Sequence, residues 1–306
     1  MMTVSELLAE ANACHDDDVL RGAELLRSID PQELVAADAP TYAFLINHVL
    51  GEKLGCWSEA LKCQRRILER PEPTPALWRQ LGAAAYAAGD AAALRQATSE
   101  YATANQVDLA RAHDVLQLSA VVYQVPAILA AGAAARTLAA ITPLTEVAWQ
   151  SASPIDGAVA ACLNNLASGL QERPLPDLRQ AALRTALARC AELTHVFWKR
   201  AGTWVNLERA LYLRAMVCNA LGDAGAARLF AIEALSVLGT NDADHAEDAD
   251  RAFIELERAH ACRLLGLNDE AAVAEQNGQA IAGAFNVASL RRWYESRCAR
   301  LATLPA

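Results

Sequence analysis

The chain is poor in positive charge, in aromatic residues, in long hydrophobic runs and in paired cysteines. Lys and Arg number 27 against 36 Asp and Glu, for a net charge of −9. That balance disfavours a role built on neutralising nucleic-acid phosphates or on docking to an anionic membrane surface. The most apolar stretch, 126–141, carries Arg136 and is shorter than the roughly 20 residues a membrane-spanning helix needs. The eight cysteines are scattered, with no Cys-x-x-Cys pair and no zinc-ligand spacing. They read as small buried hydrophobes in a reducing compartment. The opening residues, Met-Met-Thr-Val-Ser-Glu-Leu-Leu, hold neither a basic region nor a signal-like apolar run, and the expected location is the cytoplasm. Gly-x-Ser-x-Gly, phosphate-loop and Gly-x-Gly-x-x-Gly motifs are absent, so no motif names a nucleophile or calls for a cofactor.

What is present is the composition of a folded protein, 54% hydrophobic and 21% charged. No run of alternating β-branched residues occurs, whereas apolar residues recur at spacings of three and four almost throughout. The predicted fold is all-α, with about fifteen antiparallel helices. Asp16, Asp17 and Asp18 supply capping carboxylates between the first two helices. A cluster of Pro71, Pro73 and Pro75 ends a later helix, and Pro126, Pro143, Pro154, Pro174 and Pro176 punctuate the middle of the chain.

Gly55 and Gly89 stand 34 residues apart (89 − 55). Between and around them lie Glu59, Ala60, Trp78, Leu81, Gly82, Ala84 and Asp90. Gly222-Asp223 with Ala227, Ala231 and Ala234, and Gly266 with Asp269, Glu270 and Ala271, repeat the pattern further on. Those last two glycines are 44 residues apart (266 − 222), and the acidic stretch 239–250 accounts for the excess. In period and in these residues the chain resembles the tetratricopeptide-repeat family over 41–108 and 203–284. It departs from the family's pattern at Asn47-His48, where Leu-Gly is expected, and at Leu94, where a small residue is expected.

The resemblance implies antiparallel helix pairs stacked as a right-handed superhelix: a single α-solenoid over 1–306, with repeats in 1–108, degenerate helical repeats in 109–200, and repeats plus a capping helix in 201–306. It further implies a scaffold that binds a protein or peptide in a concave groove, not an enzyme. The first helix of each pair would line that groove. Aligned on the turn glycines, the lining residues are Tyr42, Leu45, Val49 and Glu52 in one repeat, Arg79 and Tyr86 in the next, Arg209, Tyr212 and Asn219 in the Gly222 repeat, and Phe253, Leu256, His260 and Arg263 in the Gly266 repeat. Arginine forks with an aromatic ring suit a partner bearing acidic groups or a terminal carboxylate. Neither nucleic acid nor membrane is expected as a partner, and a homo-oligomer stays open. The last helix, with Arg291, Arg292, Arg297 and Arg300, reads as a cap with a solvated outer face.

The aromatics that the chain does have gather at 195–214, where Phe197, Trp198, Trp204 and Tyr212 alternate with Lys199, Arg200, Arg209 and Arg214. Gly202 is expected to end one helix in the left-handed conformation and Thr203 to cap the next. Trp198, Arg200 and Trp204 therefore join the candidate binding residues. A different chemistry is written in Glu192-x-x-His195 and Glu257-x-x-His260. Each motif puts a carboxylate and an imidazole on one helix face, and two of them resemble the metal ligands of ferritin-like di-iron bundles. That alternative is a metal-dependent helical oxidase, or a helical protein that binds a small molecule. His15, His48, His113 and His245 read as unclustered, and one of Asn164 and Asn165 is expected to face inward, where a buried amide ties helices together or serves a ligand.

Overall fold

A computed structural model describes residues 2–70 and 73–304; Pro71, of the proline cluster, lies outside them. Among the described residues the regular structure is entirely helical, as the three-and-four apolar spacing requires. The chain forms two compact units, Met1–Ile155 and Asp156–Ala306. The first contains α1 (Val4–Cys14), α2 (Val19–Ser28), α3 (Ala39–Leu45), α4 (Trp57–Leu68), α5 (Pro75–Ala88), α6 (Ala91–Asn105), α7 (Leu109–Gln124) and α8 (Ala130–Ile141). The second contains α9 (Asp156–Gln171), the short α10 (Leu175–Leu178), α11 (Ala181–Ala201), α12 (Trp204–Leu221), α13 (Ala224–Asn241), α14 (Asp248–Leu264), α15 (Asn268–Gly283) and α16 (Ala288–Thr303). Within each unit a helix packs on its sequence neighbour, and some also pack on the helix after that: α5 on α7, α12 on α14. This is the packing of an α-solenoid, in which each layer buries its apolar face against the next.

The punctuation is made by two residue types acting together. The glycines at positive φ are Gly55, Gly89, Gly222 and Gly266, with φ between 69° and 80°, the four landmarks of the repeat pattern. After two of them an aspartate caps the following helix: Asp90 accepts from the Ala93 N–H and Asp223 from the Ala226 N–H. Asp18 and Asp108 do the same for α2 and α7. Gly202 differs from its expectation. Its backbone is extended, φ −95° and ψ 172°, and it is needed for space: a Cβ there would lie 2.8 Å from the Trp198 carbonyl oxygen and 2.6 Å from the Asn206 Cβ. Thr203 is the N-cap of α12 as expected, in a capping box with Asn206, whose Oδ1 accepts from both the N–H and the hydroxyl of Thr203.

In the N-terminal unit α3 runs on without a break into a π-helical stretch, Ile46–Lys53. Tyr42, Leu45 and Val49, expected to line a groove, are instead buried in the core at 1%, 0% and 0% exposure. Their hydrophobicity places them there, since burying such a side chain is worth about 1.5–3 kcal/mol. Asn47 is buried too, and its amide closes a network. Its Nδ2 donates to the Gln80 carbonyl and to Gln80 Oε1, its Oδ1 accepts from Gln64 Nε2, and the Tyr123 hydroxyl donates to Gln80 Oε1. Four side chains from four helical segments thereby satisfy one another.

Gly222 tests the turn directly. Nothing lies within 4 Å of a Cβ built on it, and its φ is +80°. Gly222→Ala is expected to destabilise the protein by about 1–2 kcal/mol through left-handed backbone strain alone, read as a lower urea midpoint with an unchanged slope.

A groove lined by alternate helices of the C-terminal unit

Two adjoining pockets open on the C-terminal unit. One, of about 310 Å³, is lined by Ser168, Gln171, Glu172, Tyr212, Met216, Trp293, Ser296, Arg297 and Arg300. The other, of about 390 Å³, adds Asn164, Arg209, Leu213 and Asp250, and shares Ser168, Tyr212, Met216 and Trp293 with the first. Together they form one groove whose walls are α9, α12, α14 and α16. The helices between, α11, α13 and α15, contribute nothing to the lining. Asn164 therefore fronts the groove.

Tyr212 lies at the centre, 7% exposed, and its hydroxyl has no hydrogen-bond partner among the described residues. Burial, with Glu257 nearby, pushes its pKa well up, so the phenol keeps its proton. One turn earlier, Glu208 is fully buried and neither carboxyl oxygen has a partner. Burial, reinforced by Asp250, pushes its pKa up to about 8. Behind the groove sits Glu257, at 0% exposure. It accepts from Asn219 Nδ2 at 2.7 Å and from Arg297 Nε at 2.5 Å. Burial works against the Arg297 charge, but Glu257 more than offsets it and the guanidinium pKa is raised.

The Arg297 Nη2 remains buried and without a partner, as does Oε1 of Gln171. Arg300 donates through Nη2 to the carbonyls of Gln171 and Arg173, neutral acceptors just at and beyond the end of α9. At the other end Arg209 is held between Glu247 at 2.9 Å and Asp250 at 2.7 Å. Arg297 and Arg300 share their end of the groove with Glu172, whereas at the other end two carboxylates, Glu247 and Asp250, meet the single guanidinium of Arg209.

The residues singled out from the sequence are dispersed by this arrangement. Arg209 and Tyr212 line the groove. Asn219 and His260 lie buried, Asn219 bonded to Glu257 as above. Burial lowers the His260 pKa, with Glu257 opposing and Arg263 and Arg297 adding to it, and its Nε2 has no partner. Arg263 pairs at 2.6 Å with Glu275 of α15 and does not line the groove. Trp198, Arg200 and Trp204 stand outside the lining as well; Arg200 lies 3.9 Å from Asp156 and over the Phe197 ring.

The two Glu-x-x-His motifs do not converge. Glu192 accepts from Arg189 on its own helix, while His195 Nδ1 lies 3.0 Å from Arg214 Nη1. Arginine can only donate, so that ring nitrogen accepts and His195 is neutral, in keeping with the pKa lowered by burial and by Arg214. No three donor atoms of Glu192, His195, Glu257 and His260 gather within 4.8 Å. Helical spacing put each pair on one face, but the solenoid sends the two faces to different partners.

α16 departs from its expectation. It reads as a solvated cap, yet the Arg297 side chain is 10% exposed, and Trp293, Arg297 and Arg300 face the groove together. Their i, i+4, i+7 spacing was the available signal. The helix is seated by an aromatic cluster in which Phe253 meets Trp293 at 4.4 Å and Tyr294 at 5.3 Å.

Glu208 yields a pH prediction. Its folded-state pKa of about 8 lies above its ordinary 4.5, so the folded protein holds a proton that the unfolded chain releases. Its contribution to stability is full below about pH 4.5 and is lost as pH rises to 8. Urea midpoints from pH 5 to pH 8.5 should fall more steeply for the wild type than for Glu208→Gln; parallel curves would mean that the carboxyl ionises freely. No family model matches this chain, and a comparison with curated proteins finds none that matches it.

Proposed function

We propose that the C-terminal unit binds a peptide segment of a partner protein, anchoring a carboxylate at the Arg297–Arg300 end of the groove. The observation that carries this reading is a set of three buried polar atoms without partners: Arg297 Nη2, the Tyr212 hydroxyl and Gln171 Oε1. They come from three helices, and all three residues line the same pocket. Buried polar groups are ordinarily paired, and leaving one unpaired costs about 1–3 kcal/mol. The comparison within the chain is instructive, because the buried amides of Asn47, Gln64 and Gln80 close on themselves whereas those around Tyr212 do not. A carboxylate accepting from Arg297 and Tyr212 would supply the acceptor those two donors lack, and Gln171 Oε1 is left to accept from an N–H of the bound segment.

The rest of the groove fits an extended chain. Tyr212, Met216 and the half-exposed Trp293 ring offer apolar and aromatic area, and the Asp250–Glu247 end suits a basic group upstream of the carboxylate. Lining by alternate helices agrees with a tetratricopeptide-like scaffold, in which the first helix of each pair faces the ligand.

An array of short peptides probed with the whole protein tests this. Binding is expected to select peptides with a free terminal carboxylate, to be lost on their amidated forms, and to weaken at least about tenfold, some 1.4 kcal/mol, in Arg300→Gln and in Trp293→Ala. Arg209→Ala and Arg263→Ala, which break half-exposed ion pairs worth about 0–1 kcal/mol, should alter it less. Binding indifferent to amidation and to Trp293→Ala would overturn the proposal.

A further inference from the structure

Two histidines that read as unclustered in the sequence meet in the N-terminal unit. His15 ends α1, Asp16 follows it, and His48 stands on the π-helical stretch 46–53. Nε2 of His15 lies 3.5 Å from Asp16 Oδ2, and Nε2 of His48 lies 3.8 Å from Asp16 Oδ1. One donor atom from each of the three falls within 4.8 Å of the others. Ligand atoms each about 2.0–2.1 Å from a tetrahedral ion are roughly 3.4 Å apart, so these spacings need little contraction to surround one.

The other ring nitrogens are already engaged. His15 Nδ1 is 2.7 Å from the Asn12 carbonyl oxygen, and His48 Nδ1 is 2.7 Å from Glu52 Oε2. Both partners accept, so each Nδ1 carries a proton, and the nitrogen left to act as a ligand in the neutral ring is Nε2, which faces Asp16. Metal-binding histidines are oriented in this way by a carbonyl or a carboxylate. Phe44 stacks on the His48 ring with centroids 5.5 Å apart, fixing its plane. The π-helical winding is a second sign, since the extra residue per turn is uncommon and recurs at functional sites. A cation already occupies the carboxylate: Lys53 Nζ lies 2.5 Å from Asp16 Oδ1. The Asp16 side chain is 72% exposed and free to turn from the ammonium to an ion.

The geometry points to a four-coordinate site for a zinc-class divalent transition ion, held by His15 Nε2, His48 Nε2 and the Asp16 carboxylate. Two imidazoles and one carboxylate are a donor set that such ions accept, and three protein ligands leave the fourth position open to water or to an acidic group of a ligand. Glu52 orients His48, and Lys53 balances Asp16 when no ion is bound.

Cobalt(II) titrated into the whole protein, followed by visible absorption, is the test. One equivalent should give an intense tetrahedral band without thiolate charge transfer, and zinc should displace it. His15→Ala, His48→Ala and the conservative Asp16→Asn should each weaken binding at least about tenfold, and Glu52→Gln by roughly 10–100-fold. Lys53→Met, which removes the competing cation and no ligand, should tighten it. The site is refuted by the absence of a tetrahedral band, or by cobalt binding that survives His15→Ala and His48→Ala. An unchanged affinity in Lys53→Met and Asp16→Asn refutes it equally.

Discussion

A buried carboxylate constrains the C-terminal unit more than any single apolar contact. Glu257 is fully enclosed, and a charge so placed is tolerated only with partners. Asn219 of α12 supplies an amide and Arg297 of α16 a guanidinium, so three helices are tied at one point. Of the residues in α16 only Tyr294 and Leu301 are buried. The aromatic cluster around Phe253 seats one side of it, and stripping one partner from a buried ion pair typically costs about 3–5 kcal/mol. Held at that point, α16 reaches α9 through Arg300 and becomes the fourth wall of the groove.

The two units use the same polar chemistry to different ends. Asn47 and Asn219 each donate through Nδ2 to a backbone carbonyl and to a side-chain oxygen of the residue that carries it, Gln80 in one case and Glu257 in the other. In the N-terminal unit the acceptor is neutral, and Tyr123 completes it. In the C-terminal unit it is charged and recruits Arg297, whose second nitrogen is left over beside the unpaired Tyr212 hydroxyl. No helix among the described residues is long and apolar enough to cross a membrane.

Much of the fold was legible because local physics dictates it. Apolar spacing gave the helices, and Gly55, Gly89, Gly222 and Gly266 marked turns whose positive φ only glycine adopts cheaply. Arg209 and Tyr212 were found on the groove because they share a helix face with known register. Arg300, which lies 127 residues from the Arg173 carbonyl it caps, could not be placed by any repeat. Gly202 was misread because close approach and a left-handed turn both select glycine. His15 and His48 escaped because they are 33 residues apart (48 − 15) and His48 stands on a π-helical stretch. Helical spacing in the α register does not predict what a π turn brings together.

The most direct measurement is backbone hydrogen–deuterium exchange of the whole protein with and without a captured carboxylate-ended peptide. Slowed exchange confined to 164–172, 209–216 and 293–300 is the expected result, because these segments form the groove. Slowed exchange on α11, α13 and α15, or in the N-terminal unit alone, would contradict binding in the groove.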